Sequence, residues 1–173
     1  MAHDDGFQIR PYQTTDHERI VELNRYGLRA AGVPDTADVY AGDLDDIAAS
    51  YLNGRGTMLI GTLGARVVAM GGLREVDQDI CEILRMRVDS EAQGRGYGRA
   101  ILQALEQHAR RNGFTTATLL TGPEQHPAID LYLSAGYTWT ADENHGPVRG
   151  VRLAKSLTQP DRPGDGHGAR VAP

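Results

Sequence analysis

The sequence predicts a single α/β (α+β) domain in which helices cover a mixed central sheet. Its length of 173 residues suits one domain, since domains usually hold about 100 to 200 residues. Runs with the two-residue period of strands alternate with runs of helical period, in the order β-α-α-β-β-β-α-β-α-β-β. No segment of about 20 to 50 residues repeats, so we expect neither a solenoid nor a propeller.

The first half of the chain contains a predicted strand, two helices and three further strands. Thr15 and Glu18 have the spacing of a capping box, which begins a helix. Asp43 is predicted to cap the second helix. Two strand-like runs meet at Leu63-Gly64-Ala65, which is typical of a hairpin turn. The predicted elements are a strand over 7–12, helices over 15–31 and 43–52, and strands over 57–62, 66–73 and 80–88.

The second half predicts two more strand and helix units and a polar tail. An amphipathic helix ends at Asn112-Gly113, where glycine can adopt the left-handed conformation of a helix cap. Its apolar face consists of Ile101, Leu102, Leu105 and Ala109. The remaining predicted elements are a strand over 115–121, a helix over 128–134 and strands over 137–140 and 148–153. Glycine and proline interrupt the sequence from 158 to 173, so we predict a folded domain over 1–157 and a disordered tail.

Composition excludes several classes of function. The net charge of -5 and the sequence pI of about 5.6 argue against nucleic acid as the main ligand, because binding to phosphate backbones requires clustered basic residues. A single cysteine, Cys81, excludes an intramolecular disulfide and fits a reducing compartment. The six histidines are scattered without ligand spacing, so we expect no metal site.

Apolar patterning indicates a cytoplasmic protein. No run approaches the 18 or more apolar residues of a membrane span. The first residues are acidic and polar, where a secretory signal would be basic and then apolar. We therefore expect no membrane partner.

The most informative segment lies between the strand that ends at Val88 and the amphipathic helix. It reads Gln93-Gly94-Arg95-Gly96-Tyr97-Gly98-Arg99, with glycine at alternate positions. Glycine allows sharp bends and lets a ligand approach the backbone closely. The first N–H groups of a helix are unpaired and carry the positive end of its dipole, which suits an anion. Arg95 and Arg99 add positive charge, so we predict a phosphate or pyrophosphate site.

Other interpretations of these glycines are weaker. A P-loop requires Gly-Lys followed by Ser or Thr, which does not occur in the sequence. A dinucleotide fingerprint requires its third glycine where this chain has Arg99. A tight turn between strand and helix without any ligand stays open as an alternative.

Two motifs resemble those of the GNAT acetyltransferases. Gln93 to Gly98 fits the family signature Q/R-x-x-G-x-G/A. Ala128-Ile129-Asp130-Leu131-Tyr132, followed by Ala135-Gly136-Tyr137, resembles the later A-x-x-L-Y…G-F/Y segment. One helix and one strand separate the motifs, as in the family, and the resemblance covers about residues 7 to 157. It implies a mostly antiparallel sheet with two splayed parallel strands in the middle and about four flanking helices.

The resemblance also implies acetyl-CoA as a co-substrate between the splayed strands. The backbone of Met86, Arg87 and Val88 would pair with the pantetheine arm, and the backbone near Met86 would polarise the thioester carbonyl. Gln125 stands where the family often has a cofactor-binding Asn. The diphosphate would be held by the loop residues Gln93, Gly94, Arg95, Gly96, Tyr97, Gly98 and Arg99.

Tyr132 is the implied acid beside the departing sulfur. A thiol like that of free Cys has a pKa of about 8.5 against about 10 for Tyr, so a hydrogen bond to the developing thiolate is easier than full proton transfer. An aromatic side chain that only packs in the core is the alternative.

Glu82 lies where several family members carry a catalytic carboxylate. Strict alternation would place it on one face with Leu84, Met86 and Val88, where burial would raise its pKa and make it a better base. An alkyl ammonium has a pKa near 10.4, so Glu82 would more easily act through water. It could instead bind the ammonium or pair with an arginine, and Glu75 is the second candidate base.

These features predict an N-acetyltransferase that moves an acetyl group to a primary amine of a small molecule or peptide by direct attack. The alternative is an acyl-CoA-binding sensor or interaction module without catalysis. The segment over 31–42 lies where the family shapes its acceptor pocket. Arg85 and Arg87 either face an acidic acceptor or are solvated. Family members often dimerise, so a homodimer is a further expectation.

Overall fold

The computed structural model describes residues 6–33 and 42–158. All of the predicted tail except Thr158, and most of the predicted acceptor-pocket segment, lie outside these residues. In the described part, seven strands form one mixed sheet in the order β1-β2-β3-β4-β5-β7-β6. Only β4 and β5 pair in parallel, and every other neighbouring pair is antiparallel. The predicted fold class is confirmed.

The predicted order of elements is also confirmed. The helices are α1 (His17–Ala30), α2 (Ile47–Tyr51), α3 (Tyr97–Arg111) and α4 (His126–Ser134). The strands are β1 (Phe7–Pro11), β2 (Thr57–Leu63), β3 (Arg66–Glu75), β4 (Ile80–Val88), β5 (Thr116–Thr121), β6 (Thr138–His145) and β7 (Val148–Ser156).

Two hydrophobic cores cover the two faces of the sheet. The α1 core, between the sheet and helices α1 and α2, contains Ile20, Leu23 and Tyr51. The α3 core, between the sheet and helices α3 and α4, contains the predicted apolar face of α3, whose members Ile101 and Leu105 have no exposed surface. Gly113, with φ 83°, follows α3 in the left-handed conformation expected of a cap. Helix periodicity therefore identified the buried residues correctly.

Two predicted helix caps are wrong. Thr15 and Glu18 are exposed, and the start of α1 is organised instead by Asp16, whose carboxylate accepts from the backbone N–H of Gln13 over 2.8 Å. Helix α2 is capped by Asp46, which accepts from the N–H of Ala49 over 2.9 Å. The predicted cap Asp43 has a different role, because its carboxylate accepts from the side chains of Arg85 on β4 and Tyr51 on α2 and not from the first backbone N–H groups of α2.

Two glycines in β3 let the helices approach the sheet closely. A Cβ on Gly71 would lie 2.7 Å from the Ile101 side chain of α3. A Cβ on Gly72 would lie 2.6 Å from the ring of Tyr51 on the opposite face. The register between β3 and β4 shifts between Met70 and Gly72. Side chains from the helices therefore pack directly on the backbone of β3 on both faces of the sheet.

We expect Gly72→Ala to lower the free energy of unfolding by about 1–3 kcal/mol, because the methyl group overpacks against the Tyr51 ring. Urea denaturation measures this loss. Gly98→Ala is the matched control, since its Cβ would make ordinary contacts at 3.5 Å with Leu131 and 3.6 Å with Val88. Equal stability of the two variants would contradict the packing argument.

Candidate active site

The two parallel strands separate at the centre of the sheet. They pair from Ile80 and Thr116 to Ile83 and Leu119, whereas β4 continues to Val88 and keeps pairing with β3. In the described structure, the edge of β4 beyond Ile83 that faces β5 has no strand partner. Backbone N–H and C=O groups on such an edge can pair with an extended ligand. The predicted splay is thus present.

The alternation of β4 breaks at Arg85. This residue has φ 56°, a left-handed conformation that non-glycine residues rarely adopt. Leu84 packs against the α1 core, whereas Met86 and Val88 pack against the α3 core. The prediction that Glu82, Leu84, Met86 and Val88 share one face is therefore wrong beyond Leu84. The bend also places both Arg85 and Arg87 toward α1 and α2.

A buried network holds this bend. The guanidinium of Arg85 donates from Nε to Asp43 over 3.0 Å and from Nη2 to the other carboxylate oxygen. The hydroxyl of Tyr51 donates to the same carboxylate. Burial alone would raise the pKa of Asp43, but the hydrogen bonds from Arg85 and Tyr51 outweigh it and leave the pKa below its usual value. Burial and the Asp43 carboxylate raise the pKa of the Tyr51 hydroxyl well above its usual value.

The glycine loop has the geometry of an anion site. Gly94 and Gly96 adopt left-handed φ angles of 76° and 85°, and a Cβ on either would meet nothing within 4 Å. Gly96 precedes α3, and no side chain caps the first turn of that helix. The backbone N–H groups of this turn are therefore open to an anion from outside. Gly98 has no such requirement, because its conformation and surroundings would accept a Cβ.

The other loop side chains differ in their burial and in their hydrogen-bond partners. Tyr97 is buried and its ring stacks on Phe7 with 4.1 Å between centroids, so only its backbone can face a ligand. Gln93 donates to the Val88 carbonyl over 3.3 Å. Arg99 donates to the Ser134 hydroxyl of α4 over 2.6 Å, and Arg95 is exposed. The loop is thus tied to β4 and α4 while its two arginines face solvent.

Tyr132 lies close to the gap. It is 6% exposed, packs in the α3 core and meets the Tyr137 ring edge-on at 6.0 Å. Burial raises the pKa of Tyr132 to about 12, and the charge of Arg87 acts against this rise. Tyr132 therefore packs as a core aromatic, and the charge that acts on it comes from Arg87, on the part of β4 that has no partner on the β5 side. Gln125 lies at the start of α4, where a Cβ on Gly122 would be 3.1 Å from its Nε2.

The two predicted candidate bases are both ion-paired. Glu82 accepts from Arg74 of β3 and from Arg152 of β7, each over 2.8 Å, and its side chain is 12% exposed. Pairing with arginine, one of its predicted alternatives, is what the structure has. Glu75 pairs with Arg55 over 2.7 Å, and this hydrogen bond lowers the pKa of its carboxyl. Glu75 lies opposite Cys81, at the end of β4 remote from the gap.

Residues 6–33 and 42–158 give little support to a metal site, a cysteine nucleophile or a membrane-spanning helix. No three His, Cys, Asp or Glu side chains group there as metal ligands would. Burial raises the pKa of Cys81 to about 11, so its thiol stays protonated at neutral pH and is a poor nucleophile. No helix in these ranges has the length and apolar character needed to cross a membrane.

Sequence reasoning missed Asp43 and Tyr51 as parts of this site. Asp43 binds Arg85 across 42 positions of the chain, and Tyr51 joins them through the same carboxylate, so no local spacing signals their role at Arg85. It also missed Gly27, in the interior of α1. A glycine inside a helix often marks a close approach, and that signal was available in the sequence.

Comparison with known proteins decides the family. Residues 28–137 match the profile of the acetyltransferase (GNAT) family. The chain belongs to this family. N-acetyltransferase family 8 member 2 of Rattus norvegicus is 33% identical over 103 residues, which are 57% of this chain and 46% of the relative. Mycothiol acetyltransferase of Cellulomonas flavigena is 36% identical over 95 residues, 51% of this chain and 27% of that protein.

Solved GNAT structures share the fold. A Staphylococcus aureus acetyltransferase superimposes with a TM-score of 0.79 at 18% identity, covering 88% of this chain and 99% of that one. The Salmonella typhimurium protein yncA, solved with its cofactor acetyl-CoA, gives a TM-score of 0.71 at 20% identity, covering 91% and 97%. The chain spans about half the length, or less, of the curated relatives it matches.

Asp43→Asn should lower the free energy of unfolding by about 3 kcal/mol at pH 7, because it leaves the Arg85 charge buried without its carboxylate. The folded pKa of Asp43 lies below its unfolded value of about 3.9, so its contribution is present above that value and is lost as pH falls through the folded pKa. The stability gap between variant and wild type should therefore close below about pH 4.

Urea denaturation across pH 3 to 7 measures this gap. Asp130→Asn, an exposed carboxylate on α4, is the matched control and should match the wild type throughout. A gap for Asp43→Asn that persists unchanged at pH 3 would contradict the ion-pair argument.

Proposed function

We propose that the chain is an acetyl-CoA-dependent N-acetyltransferase acting on a primary amine. The observation that carries the proposal is the gap between β4 and β5, which has the glycine loop past one end and Tyr132 close to it. This arrangement supports the roles that the resemblance implies for the two GNAT motifs. The acetyl-CoA held by the Salmonella neighbour supports the same co-substrate for this chain.

The residues of the gap fit this co-substrate. Pantetheine carries amide groups, which can pair with the unpaired β4 edge at Met86, Arg87 and Val88 as an added strand would. A diphosphate fits the uncapped first turn of α3 and the open space beside Gly94 and Gly96. Arg95 and Arg99 supply positive charge, and Gln125 offers an amide at the start of α4.

Acetyl transfer then needs one bond made and one broken. The amine nitrogen attacks the thioester carbon, the C–S bond breaks, and the amine proton leaves to water. The backbone near Met86 would stabilise the carbonyl oxygen as negative charge develops. Burial raises the pKa of Tyr132 to about 12, above the value of about 8.5 for a free thiol, so full proton transfer to the thiolate is uphill. We therefore assign Tyr132 a hydrogen bond to the departing thiolate.

An alkyl amine is an ammonium at neutral pH, so it must lose one proton before it attacks, in addition to the proton that leaves the nitrogen after attack. Both oxygens of Glu82 are engaged by arginines, which favours a water-mediated role over direct proton abstraction. Glu75 is disfavoured by its position at the other end of β4. The acceptor class follows the family and the resemblance: an amine of a small molecule or peptide. A homodimer and a cytoplasmic location stay predictions from the sequence.

The function is tested by mixing the protein with acetyl-CoA and a panel of amines and following thiol release. We expect amine-dependent release, and Tyr132→Phe should lower kcat by about 10- to 100-fold while the Kd of acetyl-CoA changes little, because only the departing thiolate loses a hydrogen bond. Tyr26→Phe, at a tyrosine that is 47% exposed, is the matched control.

Two results of this assay would contradict either the proposed catalysis or the proposed role of Tyr132. Binding of acetyl-CoA without thiol release for any amine would indicate the sensor or interaction module. Unchanged kcat in Tyr132→Phe would remove Tyr132 from the mechanism.

Gly96→Val should abolish acetyl-CoA binding in calorimetry, because valine is strained at φ 85° and its side chain would occupy the space beside the loop amides. Gly64→Val is a control with similar strain. Gly64 has φ 57° in the hairpin turn, its Cβ would also meet nothing within 4 Å, and it lies outside the loop. Normal binding by folded Gly96→Val would argue against an anion site at this loop.

A further inference from the structure

Arg87 is a cation without a carboxylate partner among the described residues. Its Nη1 donates to the adjacent Met86 carbonyl over 2.9 Å, whereas its Nε is buried with no hydrogen-bond partner. Burial and the neighbouring Arg85 charge lower the pKa of Arg87 to about 10, so it remains charged at neutral pH. Leaving a buried charged donor unpaired is costly. The neighbouring Arg85 avoids this cost by pairing with Asp43.

Helix α1 is shaped to admit this guanidinium. A Cβ on Gly27, in the helix interior, would lie 2.6 Å from Arg87 Nε. Glycine inside a helix costs about 1 kcal/mol relative to alanine, so its presence here indicates a close approach that the fold requires. Asn24, one turn earlier on α1, is also buried, and its Oδ1 has no hydrogen-bond partner in the described residues. The seam between α1 and β4 thus holds an unpaired donor and an unpaired acceptor.

Arg87 belongs to the reaction end of the gap and not to the glycine loop. Its charge acts on the hydroxyl of Tyr132, the residue assigned to the departing sulfur. Its side chain faces α1, whereas the flanking Met86 and Val88 face the α3 core. The glycine loop opens α3 and has its own arginines. Arg87 therefore lies on the unpaired part of β4 near Tyr132, where an anionic group of a bound acceptor can pair with it.

The chemistry of the reaction restricts which acceptor molecules can carry this anionic group. A fixed cation repels an ammonium acceptor, so amines that carry only positive charge are disfavoured here. A carboxylate on the same molecule would outweigh this repulsion, because guanidinium groups bind carboxylates through charge-assisted and often bidentate hydrogen bonds. In an α-amino acid one carbon separates the carboxylate from the amine, which brings the nitrogen beside Arg87. The same cation lowers the pKa of the bound ammonium and so favours the attacking free base.

We propose that Arg87 binds the carboxylate of the acceptor, and that the acceptors of this chain are α-amino acids or amines with a similarly placed carboxylate. The inference rests on the proposed acetyl transfer. It makes Arg87 a specificity-determining residue for acetyl transfer.

The test compares acceptors in matched pairs that differ only at the carboxylate. Phenylalanine, methionine and leucine are each assayed against their carboxamides by thiol release from acetyl-CoA. A charge-assisted hydrogen bond contributes about 1.5–3 kcal/mol, so we expect kcat/KM to favour an acid over its amide by about 10- to 100-fold in at least one pair. The difference should appear mainly in KM.

Substitutions at Arg87 and at Gly27 test whether the preference for acids over carboxamides depends on the Arg87 guanidinium. Arg87→Met should bring the acid-to-amide ratio close to one, and Arg87→Lys should retain part of it, since lysine keeps the charge without the planar fork. Gly27→Ala should also lower the ratio, because its methyl group displaces the guanidinium. The ratio compares two acceptors on one protein, so partial loss of folded enzyme cancels. Arg29→Met, at an exposed arginine of α1, should keep the wild-type ratio.

The outcomes separate this inference from the proposed function. Thiol release with other amines, but equal rates for acids and amides in every pair, would overturn the carboxylate assignment and leave the acetyltransferase intact. An acid preference that survives Arg87→Met would also overturn it. No thiol release with any amine in either panel would overturn both proposals.

Discussion

The separation of β4 from β5 beyond Ile83 controls where the rest of the candidate site lies. Paired strands satisfy their backbone groups with each other, so a ligand can reach these groups only where pairing stops. Pairing stops here because β4 bends at Arg85, whose left-handed conformation costs a non-glycine residue about 1–2 kcal/mol. The carboxylate of Asp43, which also accepts from Tyr51, binds the Arg85 side chain. A side-chain ion pair thus holds a backbone feature in place.

Glycine makes room for this arrangement on the α1 face. Gly72 lets the Tyr51 ring reach the sheet, and Gly27 lets the Arg87 guanidinium pass beside α1. In both cases the space that a Cβ would fill is occupied by a large side chain from another element. Overpacking normally destabilises a core, so the two positions are restricted by what lies opposite them and not by their own conformation. The loop glycines Gly94 and Gly96 differ, since their φ angles impose the restriction.

The charges of the site fall into two groups with different roles. Arg85 and Arg152 are matched by Asp43 and Glu82, so their charges serve the architecture of the sheet. Arg87, Arg95 and Arg99 have no carboxylate partner in the described residues, and they lie at the two ends of the region that acetyl-CoA would occupy. A protein with net charge -5 thus keeps unmatched positive charge where anionic groups would bind. Burial raises the pKa of Tyr132 to about 12, so its hydroxyl stays neutral at neutral pH.

Much of the fold could be predicted from local patterns. The strand over 80–88 and the apolar face of α3 depend on the periodicity of nearby residues, and both are as expected. The glycine loop was also predictable, because left-handed backbone next to a helix start is a local requirement. The helix caps were not, since several polar residues stood near each helix start. Asp43 pairs with Arg85, 42 positions away in the chain, and Asp46 is left to cap α2.

By itself, the sequence determined the order of elements and the chemistry of the loop between β4 and α3, because residues within a few positions of each other control both. Only the tertiary structure decided that β4 loses its alternation at Arg85, that two arginines hold Glu82 and that Arg87 stands unpaired beside Gly27. Each of these depends on contacts between residues far apart in the chain, such as Glu82 and Arg152, which no local spacing can specify.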